Sequence, residues 1–172
     1  MNNKLLILCA SNNHNLKLAT QVKSQLDKDG VLNQCLDLVD IDLPLYTPNA
    51  EKKGVPEKIK ELLPLIIETE GFVVVTPEYN GGVPPVLSNF IAWLSVASEN
   101  FRDCFDRKPA ALMSFSGSGA TILSILRLQL AYLGILVIGR QLLATYAKPA
   151  KEESIEAVLS ELKALIGLSG NS

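Results

Sequence analysis

Three runs constrain this chain more than anything else in it: Leu5 to Cys9, Phe72 to Thr76, and Ala110 to Phe115. All three are apolar almost throughout and none alternates polar with apolar residues, so each reads as a strand covered on both faces. Each is followed by a polar or glycine-bearing loop and then by apolar residues at helical spacing. After the first run comes Ser11-Asn12-Asn13-His14-Asn15, then Leu16, Ala19, Val22 and Leu26, with Asp29-Gly30 closing the helix.

The remaining segments repeat the alternation. Val31 to Leu38 reads as a second strand, and Asp40 to Gly54, with Pro44 and Pro48, as a loop. Pro56 is placed to open a helix through Glu68, which Pro64 is expected to kink or split. Pro84 to Ala97 is the third helix, and the polar stretch Ser98 to Lys108 leads to the fourth strand. A helix from Ala120 to Leu133, a short strand Ile135 to Ile138 and a helix from Ser154 to Ile166 complete the order. Strand and helix alternating in this way predict an α/β fold, a five-stranded parallel sheet with helices on both faces. The whole chain, 1–172, suits a single domain.

Composition narrows the function classes. A net charge of -2 offers no basic footprint, so neither nucleic acid nor an anionic membrane is expected as a partner. Cys9, Cys35 and Cys104 are odd in number and lack metal-ligand spacing, so no metal site is predicted. Cys9 and Cys35, within apolar runs, read as buried free thiols; Cys104 lies in a more polar segment where a reactive thiol could sit. The run Lys4 to Cys9 is too short for a signal peptide, and no stretch reaches the roughly 20 apolar residues of a membrane span. A reducing, cytoplasmic setting is the expectation.

In a sheet of order 2-1-3-4-5, the loops after strands one, three and four converge at the carboxyl edge, where strand order reverses. These are Ser11–Asn15, Pro77–Pro84 and Ser116–Gly119. The first precedes a helix start, whose free N–H groups suit a phosphate monoester, although plain N-capping by Ser or Asn gives the same pattern. His14, the only histidine, reads as an exposed loop residue more readily than as a catalyst. Gly81 and Gly82 let a flat ligand approach the main chain, and Tyr79 could cover a planar ring or simply shield the loop. Glu78 reads as a cap or an exposed acid, since no second titratable group neighbours it. Ser116-Gly117-Ser118-Gly119 is only loosely a phosphate cradle, lacking the P-loop lysine.

With these residues in view, the chain resembles the NADPH-dependent FMN reductase family of the flavodoxin-like superfamily. The likeness is sharpest over Thr76-Pro77-Glu78-Tyr79-Asn80-Gly81-Gly82-Val83-Pro84, continuing into Leu87, Asn89, Trp93, Leu94 and Ser95. The family pattern there is close to T-P-E-Y-N-x-S-x-P-G-x-L-K-N-x-x-D-W. The resemblance implies a flavodoxin-like three-layer sandwich with FMN as cofactor and NAD(P)H as co-substrate. It implies that Pro77, Glu78, Tyr79, Asn80, Gly81 and Gly82 line the isoalloxazine ring, with Ser116, Gly117, Ser118 and Gly119 bordering it opposite. It implies that Ser11, Asn13, Asn15 and the amides as far as Leu16 hold the FMN phosphate. Hydride would pass from NAD(P)H through the flavin to a small-molecule acceptor such as a quinone, azo compound or metal oxyanion, with no catalytic side chain required. A homodimer or homotetramer is the implied assembly.

The departures from the pattern matter as much. Ala10 stands for the family's glycine, the loop arginine is absent, and Ser11 reaches Asn15 in four steps, as in a flavodoxin T-x-T-x-N-T loop. FMN retention weaker than the family norm is therefore expected. Gly82, Pro85, Ser88 and Ala92 replace Ser, Gly, Lys and Asp, two of them on the helix through which relatives dimerise. Two alternatives stay open: a flavodoxin-type one-electron carrier, disfavoured by the small net charge, and a domain that has lost flavin and serves as a binding subunit.

Overall fold

Strand β1 (Leu5–Cys9) lies at the inner position of a parallel sheet, between β2 (Asn33–Asp37) and β3 (Gly71–Val75). Beyond β3 come β4 (Pro109–Phe115) and the edge strand β5 (Leu136–Ala144), giving the order β2-β1-β3-β4-β5. The computed structural model describes residues 5–117 and 121–169. Every residue of β1 and β3 is buried, as uninterrupted apolar runs require.

The period of two divides the core between the faces. Leu6, Leu8, Phe72 and Val74 pack with α4 (Glu57–Glu68), α5 (Pro85–Ala97) and α6 (Thr121–Tyr132). Leu5, Ile7, Val73 and Val75 pack with α1 (His14–Lys28) and α7 (Glu152–Ser169). Each large apolar side chain buried this way contributes roughly 1.5–3 kcal/mol. These two layers set all strand carboxyl ends at one edge.

The structure departs from expectation in four places. First, Pro64 neither breaks nor splits α4, which runs as one helix from Glu57 to Glu68. Pro64 is exposed, so the carbonyl it leaves without an intrahelical donor lies on the solvent face. Second, the predicted loop Asp40 to Gly54 contains α3 (Pro48–Glu51) and overlaps the end of α2 (Leu38–Ile41), each too short for periodicity to reveal. Thr47 Oγ1 caps α3 by accepting from the Ala50 N–H at 3.0 Å. Third, the polar connection after α5 holds a 3₁₀ turn, Phe101–Cys104. Fourth, β5 extends six residues past Ile138, through a bulge at Ile138, Gly139 and Arg140 that shifts the register of the edge strand. The Glu161 carboxylate of α7 covers that bulge, accepting from the Gly139 N–H at 3.0 Å.

All three cysteines are free, and Cys35, expected to be buried, is only half-buried. Cys9 and Cys104 are buried, and burial pushes both thiols up to about 11, while that of Cys35 also rises for the same reason. Cys104, read from sequence as the candidate reactive thiol, is therefore a core residue.

Lys108 closes the far end of α4. Its ammonium donates to the Ile66 and Ile67 carbonyls at 2.6 and 2.7 Å and lies 5.8 Å from the Phe72 ring centre. Burial pushes the ammonium from 10.5 down to about 8, against the opposing pull of Cys104 and Asp103. The unfolded chain thus binds more protons than the folded one between about 8 and 10.5, so this residue makes stability rise with pH across that window. The expected result is a steeper gain in urea midpoint from pH 8 to 10 for the native chain than for Lys108→Met; parallel profiles would contradict it.

Candidate functional site

Each strand exit on the carboxyl edge is tied to its neighbour one residue beyond the ladder. The Ala10 N–H donates to Val75 O at 2.9 Å, that of Thr76 to Met113 O at 3.1 Å, and that of Ser116 to Ala144 O at 3.0 Å. The loops after β1, β3, β4 and β5 therefore start from a rigid platform.

Asn15 locks two of those loops together. It sits in the first turn of α1 and is 3% exposed; its Nδ2 donates to Phe115 O at 3.0 Å and its Oδ1 accepts from the Phe115 N–H at 2.9 Å. Sequence reading cast this side chain as a phosphate ligand. The bidentate bond engages it with the end of β4 and so fixes the loop that it belongs to.

The residue before the helix is unusual. Asn13 adopts φ 60°, ψ -118°, a conformation that normally calls for glycine, and its side chain makes no capping bond. No acid occupies the first turn of α1 either. The Asn13 side chain therefore does not cap α1, whose first turn borders the adjoining cavity. Asn13→Gly is expected to raise stability by about 1 kcal/mol by relieving this strain, read as a higher urea midpoint at constant slope.

An open cavity of about 260 Å³ lies there, lined by residues 11–15, Pro77, Glu78, Phe115, Ser116, Gly117 and Tyr146. The three loops picked out in the sequence do converge. Ser11, Asn13, Asn15, Pro77, Glu78, Ser116 and Gly117 all reach the wall. Leu16 does not; its side chain packs on the core beneath.

Tyr79, Asn80, Gly81 and Gly82 stand apart from this cavity. They form a tight turn, with the Tyr79 N–H donating to Gly82 O at 3.0 Å and the Gly82 N–H to Tyr79 O at 2.9 Å. Asn80 at φ 51° and Gly81 at φ 74° give it a type I′ geometry, and Tyr79 is 52% exposed beside it. Glu78 caps α6, its carboxylate accepting from the Ile122 N–H at 3.3 Å, as one of the two sequence readings held. Ser118 and Gly119 lie outside the described residues.

Sequence reading missed one wall. His14 stacks on Phe115 with ring centroids 4.4 Å apart and planes at 12°, and the Tyr146 hydroxyl lies 3.2 Å from His14 Nε2. Tyr146 also meets both rings edge-on, at 5.0 and 5.1 Å. A turn after β5, closed by the Thr145 N–H donating to Lys148 O at 2.9 Å, presents it. Its only signal in the sequence was a tyrosine just past a short apolar run. Among the described residues no Lys or Arg lines the cavity, and no cluster of His, Cys, Asp and Glu could hold a metal. Among them, no helix is long and apolar enough to cross a membrane.

Such a wall suits a small anion-bearing ligand: hydroxyl and amide groups, a helix start without an acid, and an aromatic side. The pattern describing NADPH-dependent FMN reductases matches residues 3–149. An uncharacterized Mycoplasma pneumoniae protein, the MG342 homolog, is 29% identical over 147 residues, 83% of this chain and 86% of its own. A quinone reductase of Escherichia coli is 44% identical over 55 residues; that match spans 31% of this chain and only 29% of the reductase. The fold is shared with FerB, a flavoenzyme NAD(P)H:(acceptor) oxidoreductase from Paracoccus denitrificans, at TM-score 0.70 and 18% identity over 95% of this chain and 94% of that one.

Proposed function

The chain belongs to the NADPH-dependent FMN reductase family, and from that premise we propose that it is an FMN-binding oxidoreductase that passes reducing equivalents from NAD(P)H to a quinone. The observation that carries this reading is the joint presence, around one cavity, of an α1 start that the Asn13 side chain does not cap, with Ser11 and Asn13 beside it, and of Pro77, Glu78, Ser116 and Gly117. That donor set fits a flavin phosphate at the α1 start, and Pro77, Glu78, Ser116 and Gly117 would line the ring.

FMN, when bound, supplies the hydride chemistry; the chain's own residues bind, orient and exclude water. The amides of the first turn of α1 and the Ser11 hydroxyl would hold the phosphate, and Asn13 would set the angle at which they are presented. Asn15 would keep that turn at a fixed distance from the β4 exit through its two bonds to Phe115. Glu78, anchored on α6, would hold the Pro77 wall against the ring, and the Tyr79–Gly82 turn would flank its open face. No side chain is assigned a proton-transfer step.

The quinone assignment draws on the Escherichia coli relative and on the open, largely uncharged cavity, which suits a neutral planar acceptor. A homodimer or homotetramer in a reducing compartment completes the proposal, supported by three free cysteines and by Leu128 and Tyr132, 74% and 87% exposed along α6. The test is titration of the purified protein with FMN by flavin fluorescence, followed by NADH and NADPH oxidation with benzoquinone. Saturable FMN binding with no pyridine-nucleotide oxidation by any acceptor would leave a carrier or a binding subunit as the answer.

A further inference from the structure

Among the described residues, His14 is the only one lining the cavity that can carry a positive charge, since every other wall residue is neutral or, for Glu78, acidic. It occupies the first position of α1, where a cation opposes the helix dipole unless an anion sits beside it. Yet the ring is not free to swing away: it is stacked on Phe115 and bonded to Tyr146 through Nε2. The ring nitrogen left for a ligand is Nδ1. When Tyr146 donates to Nε2, the neutral ring carries its proton on Nδ1; when the ring is cationic, Tyr146 accepts and Nδ1 is still a donor. A phosphate oxygen at Nδ1 selects that arrangement in both protonation states.

We propose that His14, held by Phe115 and Tyr146, is a positioning residue for the flavin phosphate whose protonation strengthens FMN binding, so that cofactor binding takes up a proton. This rests on the FMN-binding reading above. The titratable groups around His14 are Tyr146, which bonds it, and Glu78 on the wall of the same cavity. Lys17, one turn along α1, and Lys148, in the turn that presents Tyr146, are exposed. Glu78 is engaged with the Ile122 N–H.

The experiment measures the FMN dissociation constant of the native protein, His14→Gln and His14→Arg from about pH 5.5 to about pH 8.5, with riboflavin as a probe lacking the phosphate. The second ionisation of free FMN, near pH 6, is common to all three proteins and cancels in their ratios. The expected result is that His14→Gln binds FMN about tenfold more weakly than the native protein at the acid end and equally at the alkaline end. His14→Arg is expected to keep tight binding throughout and riboflavin to bind all three alike. A pH-independent ratio between the native and Gln proteins, with FMN still bound, overturns the role of His14 and leaves the cofactor reading standing. An equal loss for riboflavin shows a structural effect and also overturns it. No FMN binding to the native or Arg protein at any pH removes the cofactor reading itself, and this inference with it.

Discussion

Asn15→Ala is expected to melt roughly 5–15 °C below the native protein and to bind FMN at least tenfold more weakly. The side chain makes two buried bonds to the main chain of Phe115, at 3.0 and 2.9 Å. Alanine removes both and leaves an N–H and a C=O at the end of β4 without those partners. Each lost bond costs about 1 kcal/mol, and an unsatisfied buried group about 1–3 kcal/mol, so roughly 2–4 kcal/mol in all. The functional loss is larger than the stability loss implies, because the bridge sets the spacing between the α1 start and the Phe115–Gly117 wall. Asn15→Asp tests the geometry of the bridge. It keeps an acceptor for the Phe115 N–H but sets a carboxylate against the Phe115 carbonyl, so it too must be destabilised. A melting point within a degree or two of native for Asn15→Ala would show that the loops do not depend on this bridge.

Trp93→Ala is expected to cost about 3–5 kcal/mol, the largest effect of any single truncation proposed for this chain. Trp93 is 1% exposed within α5, its Nε1 donates to Pro44 O at 2.7 Å, and its ring meets Tyr46 edge-on at 5.2 Å. Asn89, one turn earlier, accepts from the Tyr46 N–H at 2.7 Å and donates to Pro44 O at 3.1 Å. Together they fasten the segment between α2 and α3 to α5, the helix that begins immediately after the Tyr79–Gly82 turn. Trp93→Phe keeps most of the buried area and loses the bond, for about 1–2 kcal/mol. Because Trp93 is the only tryptophan, unfolding must be followed by circular dichroism, with the urea midpoint shifting at constant slope. Equal costs for the Phe and Ala variants would mean that the hydrogen bond, not the packing, carries the effect.

The roles of Trp93 and Asn89 show how far local pattern reaches. Both belong to the stretch that carried the family likeness, yet nothing in their spacing says that they hold Pro44 and Tyr46, more than 40 positions away. His14, Phe115 and Tyr146 make the same point at the cavity. They come from a helix start, a strand end and a turn after the edge strand, and only the sheet order brings them into contact.

The sequence by itself determined the sheet and its carboxyl-edge site. Continuous apolar runs at Leu5–Cys9 and Phe72–Val75 can be buried only between two helical layers, and that geometry sends the loops after β1, β3 and β4 to one edge. Burial is a property of composition and period, so it is legible in one dimension. Tertiary structure alone decided which groups at that edge are already engaged. Asn15 is bonded to Phe115, Glu78 to the α6 start, and His14 to Tyr146, whereas the Asn13 side chain caps nothing. Hydrogen bonds act over about 3 Å in space, between partners as many as 132 positions apart at this site, and the chain records no trace of them until it is folded.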